Sequence, residues 1–417
     1  MWVCCRMSES RATRLLASIA IRGHAMRNAS RCIALALLYL FAIAATATPR
    51  IGVMTMQPGE IFFERFGHNA IVVADPQTGI ATSYNFGFFD LDEPGFAGRF
   101  AVGDMQYYLV AMPLEQDLVY YREVGRGVKL QWLDLAPQQA QALADTLAER
   151  AKPENARYRY DYFTSNCSTQ VRDALDKALG GALKSQLVGR SRGNTFRSEA
   201  VRLASPATWM WLGFDVGLGP KADAPMSRWE EAYVPMRLAD SLREAKGSDG
   251  RPLVQQEEEL LPHRIAAEPP DAPRRWWPWL LAGVLIAAGI VTLAPRWPRL
   301  VAGLALPFWL VCGVCGSLLV FIWGFTEHWA GWANQNLLLL NPLCLLLVPA
   351  AITLLRKRPP TAWMRGLLVA VAIGATLAWI LHWLPVSRQY NQVWIALLLP
   401  IHAALAYVFA LRRNLSH

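Results

Sequence analysis

The last third of the chain constrains everything before it. Residues 277–293, 301–323, 337–355, 366–384 and 393–411 are five apolar runs separated by short polar or proline-containing loops. Each is near the ~20 residues that the hydrocarbon core of a bilayer requires. Backbone in lipid has no water to bond with, so such runs fold as helices. The sequence therefore predicts an all-α membrane domain of about five spans over residues 276–411. Charge sets its orientation. Loops 295–299 and 356–365 and the tail at Arg412 and Arg413 are basic, whereas loops 324–336 and 385–392 carry one basic residue, Arg388. The positive-inside rule puts the basic loops and the C-terminus in the cytoplasm, so the chain before residue 276 lies outside. The net charge of +9 is thereby read as topology. No basic stripe with interleaved aromatics points to nucleic acid, and none is expected as a partner.

The start of the chain agrees. From Met26, Arg27 and Arg31 precede an apolar stretch over 32–45, followed by small residues and Pro49. This is a secretory pattern, with an uncleaved anchor as the alternative. Residues 1–48 are thus an N-terminal extension with a signal or anchor segment. The expected location is a bacterial inner membrane, with residues 50–245 periplasmic and 246–275 a charged juxtamembrane linker.

Within residues 50–245 the pattern is α+β. Strands are expected over 51–56, 68–73, 81–86, 107–113, 116–124 and 128–133, with a loop over 90–103. Helices are expected over 137–151 and 167–179, and one from Met226 towards Leu242. Trp209, Trp211 and Trp229 suit a membrane interface or a core equally.

Chemistry concentrates on one cysteine. Cys167 is alone in the exported part; Cys4, Cys5 and Cys32 precede it, and Cys312, Cys315 and Cys344 lie in apolar runs, where they read as packing residues. Ser165 or Asn166 is suited to cap the helix that begins at Cys167, so its sulfur meets the positive helix end, which favours thiolate. Thr164, Ser165 and Asn166 are candidate oxyanion donors. His68, after Gly67, is the candidate base, because His263 sits in the charged linker. Asn85 is the first choice to orient the imidazole, with Ser83 on its face of the strand, Tyr84 on the other, and Asp161 and Glu64 as alternatives. The basic loop 189–197, ending at Arg197, is a candidate for a lipid head group. Glu327, His328, Asn334 and Asn336 in the outer loop are candidate substrate contacts. No metal-ligand spacing occurs, and no cofactor is expected.

Three motifs carry a resemblance: Phe66-Gly67-His68-Asn69-Ala70, Tyr84-Asn85-Phe86-Gly87-Phe88-Phe89-Asp90 and Asn166-Cys167-Ser168-Thr169-Gln170-Val171-Arg172-Asp173. They resemble the Lnb-type family, whose periplasmic domain is similar to circularly permuted papain-like (NlpC/P60-like) enzymes and to lecithin-retinol acyltransferase, with the histidine strand before the cysteine helix. The resemblance covers roughly residues 50–240 and the segment from Glu327 to Leu343. It implies thiol-mediated acyl transfer on lipid or lipoprotein, in which Cys167 takes the acyl chain as a thioester and His68 shuttles the proton. Two other readings stand beside it: a peptidoglycan or peptide amidase with the same dyad, and a non-catalytic membrane scaffold.

Overall fold

The computed structural model describes residues 48–247, 249–356, 358–384 and 388–412. The expected signal or anchor segment lies, but for Thr48, outside the described residues. The turn Asp75–Gly79 is closed by its own side chains: Asp75 accepts from the Gln77 amide and the Thr78 hydroxyl.

Seven strands form one antiparallel sheet: β1 Arg50–Met56, β2 His68–Ala74, β3 Ala81–Phe88, β4 Met105–Pro113, β5 Val128–Leu133, β6 Arg157–Tyr160 and β7 Val254–Leu261. Their order is β6-β4-β3-β2-β1-β5-β7. β1 is an interior strand between β2 and β5 and apolar on both sides, because alternate residues enter two cores. Ile51 and Val53 join Tyr84, Phe86 and Leu109 in one. Met54 and Met56 join Ala70, Val72 and Leu130 in the other.

The helices before the membrane part are α1 Phe96–Val102, α2 Leu114–Glu123, α3 Pro137–Arg150, α4 Cys167–Ala178, α5 Ala182–Leu187, α6 Phe196–Ala204, α7 Thr208–Gly217 and α8 Pro235–Glu244. α3, α4 and α8 cover the first face of the sheet, through Leu143 and Leu147, Val171 and Leu175, and Leu238 and Leu242. α2 covers the second through Leu118 and Tyr121.

Four expectations are corrected. Residues 116–124 form α2 rather than a strand. Glu115 and Asp117 occupy its first turn, where acidic side chains suit the helix dipole. Leu118 and Tyr121 are buried, and the β-forming Val119 and Tyr120 are turned outward. Loop 90–103 contains α1. The helix expected from Met226 to Leu242 breaks into a single turn, Arg228–Glu231, and α8, whose first residue is Pro235; proline cannot donate an intrahelical bond and is suited to a first turn. Within the expected linker, β7 adds a strand along β5. The charge expected of a linker is in part taken up by the fold: Glu257 pairs with Arg243 and Glu258 accepts from Trp132 Nε1. Charges on an edge strand also discourage pairing with another chain.

The membrane part contains α9 Trp277–Leu293, α10 Pro298–Phe325, α11 Val348–Leu355, α12 Ala362–His382 and α13 Gln392–Ala406. Four segments are long and apolar enough to cross a membrane: Pro298–Phe325, Gln335–Leu355, Ala362–His382 and Gln392–Leu411. The fifth expected span is α9, an apolar helix of 17 residues, about 25 Å long at ~1.5 Å per residue. Asn341-Pro342 starts the 3-10 segment Pro342–Leu347, with Asn341 Oδ1 accepting from the Leu343 amide. Cys312 and Cys344 are buried in the core of this bundle, with Cys315 packed against it.

Polar bonds join the sheet domain to the bundle. Asn334 Nδ2 donates to the carbonyls of Val216, Gly217 and Leu218 at 2.8, 2.9 and 3.1 Å. Trp394 Nε1 donates to Asp215 at 2.9 Å, and Arg274 pairs with the same carboxylate. Asp215 is fully buried, so these contacts replace water that it has lost.

Candidate functional site

The site forms where β2 begins, β3 bulges and α4 starts. Cys167 is the first residue of α4, and Asn166 caps that helix by accepting from the Thr169 amide through Oδ1 at 2.9 Å. The thiol is half-buried and opens on a cavity. Two glycines let the backbone come this close. Gly67 has φ +76°, and a Cβ there would lie 2.8 Å from Met236 Sδ and 2.9 Å from Met56 O. Gly87, φ +100°, marks the register shift between Phe86 and Phe88, and its missing side chain faces Cys167.

His68, the first residue of β2, is the group whose charge and hydrogen-bonding most favour the Cys167 thiolate. Burial alone pushes the Cys167 thiol up, but the imidazolium of His68, its hydrogen bond and the backbone N–H groups of Asn69 and Ser168 together bring it below the ordinary thiol range. Burial likewise works against a charged His68; the Cys167 thiolate and the Asp117 carboxylate outweigh it and raise the imidazolium. The two shifts have a common cause, since each group favours the charged form of the other.

Asn85 stands where a triad's third residue would. His68 Nε2 donates to Asn85 Oδ1 at 3.0 Å, which leaves Nδ1 for the sulfur. Asn85 in turn donates through Nδ2 to Ser83 Oγ at 3.2 Å and to Asp117 at 2.8 Å. Asp117 was missed in the sequence because its segment reads as a strand; on α2 it is a buried carboxylate under Asn85. The helical spacing of Leu118 and Tyr121 with acidic residues before them was the clue available.

The other candidates fall elsewhere. Tyr84 points to the opposite face of the sheet and packs with Phe86. Asp161 does not reach His68; it accepts from the amides of Phe163 and Thr164 and from Trp329 Nε1, and so shapes the loop before Cys167. Ser165 donates to Arg159 O. Asn166 Nδ2 is occupied by the carbonyls of Tyr162 and Tyr233, so it is not an oxyanion donor. Glu64 pairs with Arg126 and Tyr120. Arg197 is 1% exposed and held by Asp223 and the carbonyls of Asp215, Leu218 and Gly219, which removes it as a head-group contact. Arg190 and Arg192 in the same loop pair with Glu244 and Glu231. Asn334 and Asn336 are buried at the junction with α7. Glu327 pairs with Arg159. His328 comes nearest the cavity, stacked 6.1 Å from the ring of Tyr162.

The cavity beside Cys167 has a volume of about 440 Å³, within the range of small-molecule pockets. Its walls are aromatic: Phe66, Phe96, Phe100, Tyr107, Tyr162 and Phe214 are among them, and polar groups are few apart from the dyad and Asn166. Among the described residues, no group of three or more His, Cys, Asp or Glu side chains is placed to hold a metal ion.

Two family models match the chain. The Lnb N-terminal periplasmic domain matches residues 42–201, and the Lnb transmembrane domain matches residues 274–414. No curated protein and no solved structure matches it. The two matches span both the sheet domain with its thiol and the apolar helices, in that order. The chain is therefore a membrane protein of the Lnb-type family, with an N-terminal periplasmic domain and a C-terminal membrane domain.

Proposed function

We propose that this protein is a membrane-bound thiol acyltransferase that acts on lipid or lipoprotein acyl chains at the periplasmic face. One observation carries the reading: a thiol paired with an imidazole opens into an apolar, aromatic-walled cavity. In the first step the Cys167 thiolate attacks the carbonyl carbon of an acyl ester. The ester C–O bond breaks, the departing alkoxide takes the proton of the His68 imidazolium, and a thioester remains on Cys167. In the second step an amine attacks the thioester and gives its proton to His68, and the sulfur leaves as thiolate. Asn85, backed by Asp117, holds the imidazole so that the same nitrogen faces the sulfur in both steps. The histidine strand precedes the cysteine helix, the chain order of a permuted papain-like fold. The basic loops and tail support a cytoplasmic C-terminus.

The reading favours acyl chains over peptides because the cavity offers few groups to bond a peptide backbone. Its test is mass spectrometry of the full-length protein incubated with membranes that contain diacylated lipoprotein. A hydroxylamine-sensitive acyl adduct is expected on Cys167 and absent from Cys167→Ala, with matching loss of N-acylated lipoprotein in cells that carry the variant. Unmodified Cys167 together with an unchanged lipoprotein profile would overturn it, and altered cell-wall peptides in those cells would point to the amidase.

A further inference from the structure

The mouth of the cavity is ringed by large apolar side chains left in the open. Phe63 is 55% exposed, Leu91 67% and Trp209 65%, with Ile61 and Phe62 beside them. They form one patch. Phe62 stacks on Trp209 with ring centroids 5.8 Å apart, Phe63 meets Phe89 edge-on at 5.7 Å, and Phe62, Phe63, Phe89 and Leu91 all line the cavity. A contiguous apolar patch of this kind marks an interaction surface.

Its height relative to the spans identifies what it meets. Trp209 lies on α7, and α7 rests on the bundle: Leu212 and Val216 pack against the bundle core. Trp211 lies 6.1 Å from Trp279 in the first turn of α9, and Trp279 lies 6.1 Å from Trp394 in the first turn of α13. Tryptophans gather where bilayer meets water, and Trp276 and Trp277 stand exposed at the same end of α9. α7 is also a cavity wall, through Phe214, which packs edge-on to Phe66 at 5.4 Å. The opposite wall is tied to the bundle as well. Along α1, which supplies Phe96 and Phe100, the carbonyls of Val102 and Phe100 accept from the Glu327 amide at 2.7 Å and from His328 Nε2 at 3.2 Å, just beyond α10.

We propose that this rim is a lipid-facing lip: Ile61, Phe62, Phe63, Leu91 and Trp209 enter the outer leaflet, and an acyl chain slides from the bilayer into the cavity without crossing water. The occupant is lipid, because the patch continues from the interfacial ends of the spans. The purpose assigned to the lip rests on the acyl-transfer reading; its existence is tested without chemistry at Cys167. Full-length protein carrying the photoreactive residue p-benzoylphenylalanine at Phe63, Leu91 or Trp209 is reconstituted in phospholipid vesicles with a traceable acyl chain and irradiated. The control position is Val188, 51% exposed, next to α5, whose buried face enters the sheet core. Lipid adducts at least fivefold above Val188 are expected at two or more of the three lip positions. Adducts no greater than at Val188, or protein adducts in native membranes in place of lipid ones, overturn the lip. Normal acyl transfer without lipid adducts sinks the lip alone; lipid adducts in a protein that transfers nothing sink the chemistry alone.

Discussion

Asp117 adds to the hold of His68 on its proton, after Cys167 itself. It sits behind Asn85, 2.8 Å from its amide, and its charge favours the imidazolium. The sign of its effect follows from the paired shifts. In the proposed reaction the working form needs a thiolate, favoured above the lowered thiol pKa, and a protonated imidazole, favoured below the raised histidine pKa. Activity therefore falls as pH drops through the first and as it rises through the second. Asp117→Asn keeps the shape and removes the charge. The imidazolium weakens, and with it the thiolate that leans on it, so the pH profile narrows from both sides. The profile of acyl transfer and the pH dependence of Cys167 alkylation check this, and limbs that stay in place would show that Asp117 serves only to position Asn85. His68 and Cys167 could be picked from sequence because each stands out by elimination in the exported part. Asp117 was harder: the spacing of Leu118 and Tyr121 hints at a helix there, but only the fold sets its carboxylate under Asn85.

α4 shows what one capping residue does for an element. Asn166 makes three bonds in three directions: Oδ1 accepts from the Thr169 amide, and Nδ2 donates to the carbonyls of Tyr162 and Tyr233. The cap alone is worth about 1 kcal/mol, and the two carbonyls left unpaired in a buried site add about 1–3 kcal/mol. Asn166→Ala is expected to lower the unfolding free energy by about 2–4 kcal/mol. Asn166→Asp keeps the cap but turns an acceptor towards two carbonyls, so it should be no better than alanine. Denaturant titration of the sheet domain's signal in the full-length protein measures both, and an aspartate as stable as wild type would mean that the carbonyl bonds carry nothing. The helix start was plain in the sequence, from a cap before an amphipathic run. α2 and β7 were not, because local composition opposed them. Val119, Tyr120 and Tyr121 are strand formers, yet Leu118 and Tyr121 need a helix to reach the core together. Glu257, Glu258 and Glu259 look like linker, yet β5 offers an unpaired edge and Arg243, Trp132 and Gln131 offer partners. Both elements exist because of tertiary partners that a local reading does not contain.

Across the whole molecule, Arg197 is the residue that joins the two halves. It is buried between Asp223 and Asp215, and those carboxylates also accept from the Tyr390 amide and from Trp394 in the membrane part. The sequence suggested a head-group contact because Arg197 ends a basic, glycine-containing loop; only the fold reveals the two aspartates waiting for it. Arg197→Met removes the charge that balances them. A buried ion pair broken from one side typically costs 3–5 kcal/mol, so the variant should loosen the junction. Protease cutting between Leu261 and Trp277 should accelerate at least tenfold, while Cys167 alkylation changes less. Cutting at the wild-type rate would mean that the junction holds without the arginine.

The fully buried Asp215 has a consequence beyond stability. Held by Arg274 at the entry to α9 and by Trp394 in α13, it denies the periplasmic domain any swing on its strap. A domain moored in this way does not patrol the periplasm. On the acyl-transfer reading proposed above, its substrates reach it by drifting within the plane of the membrane. Its throughput then follows how crowded that plane is with substrate, counted per unit of area, and is indifferent to the volume of water outside.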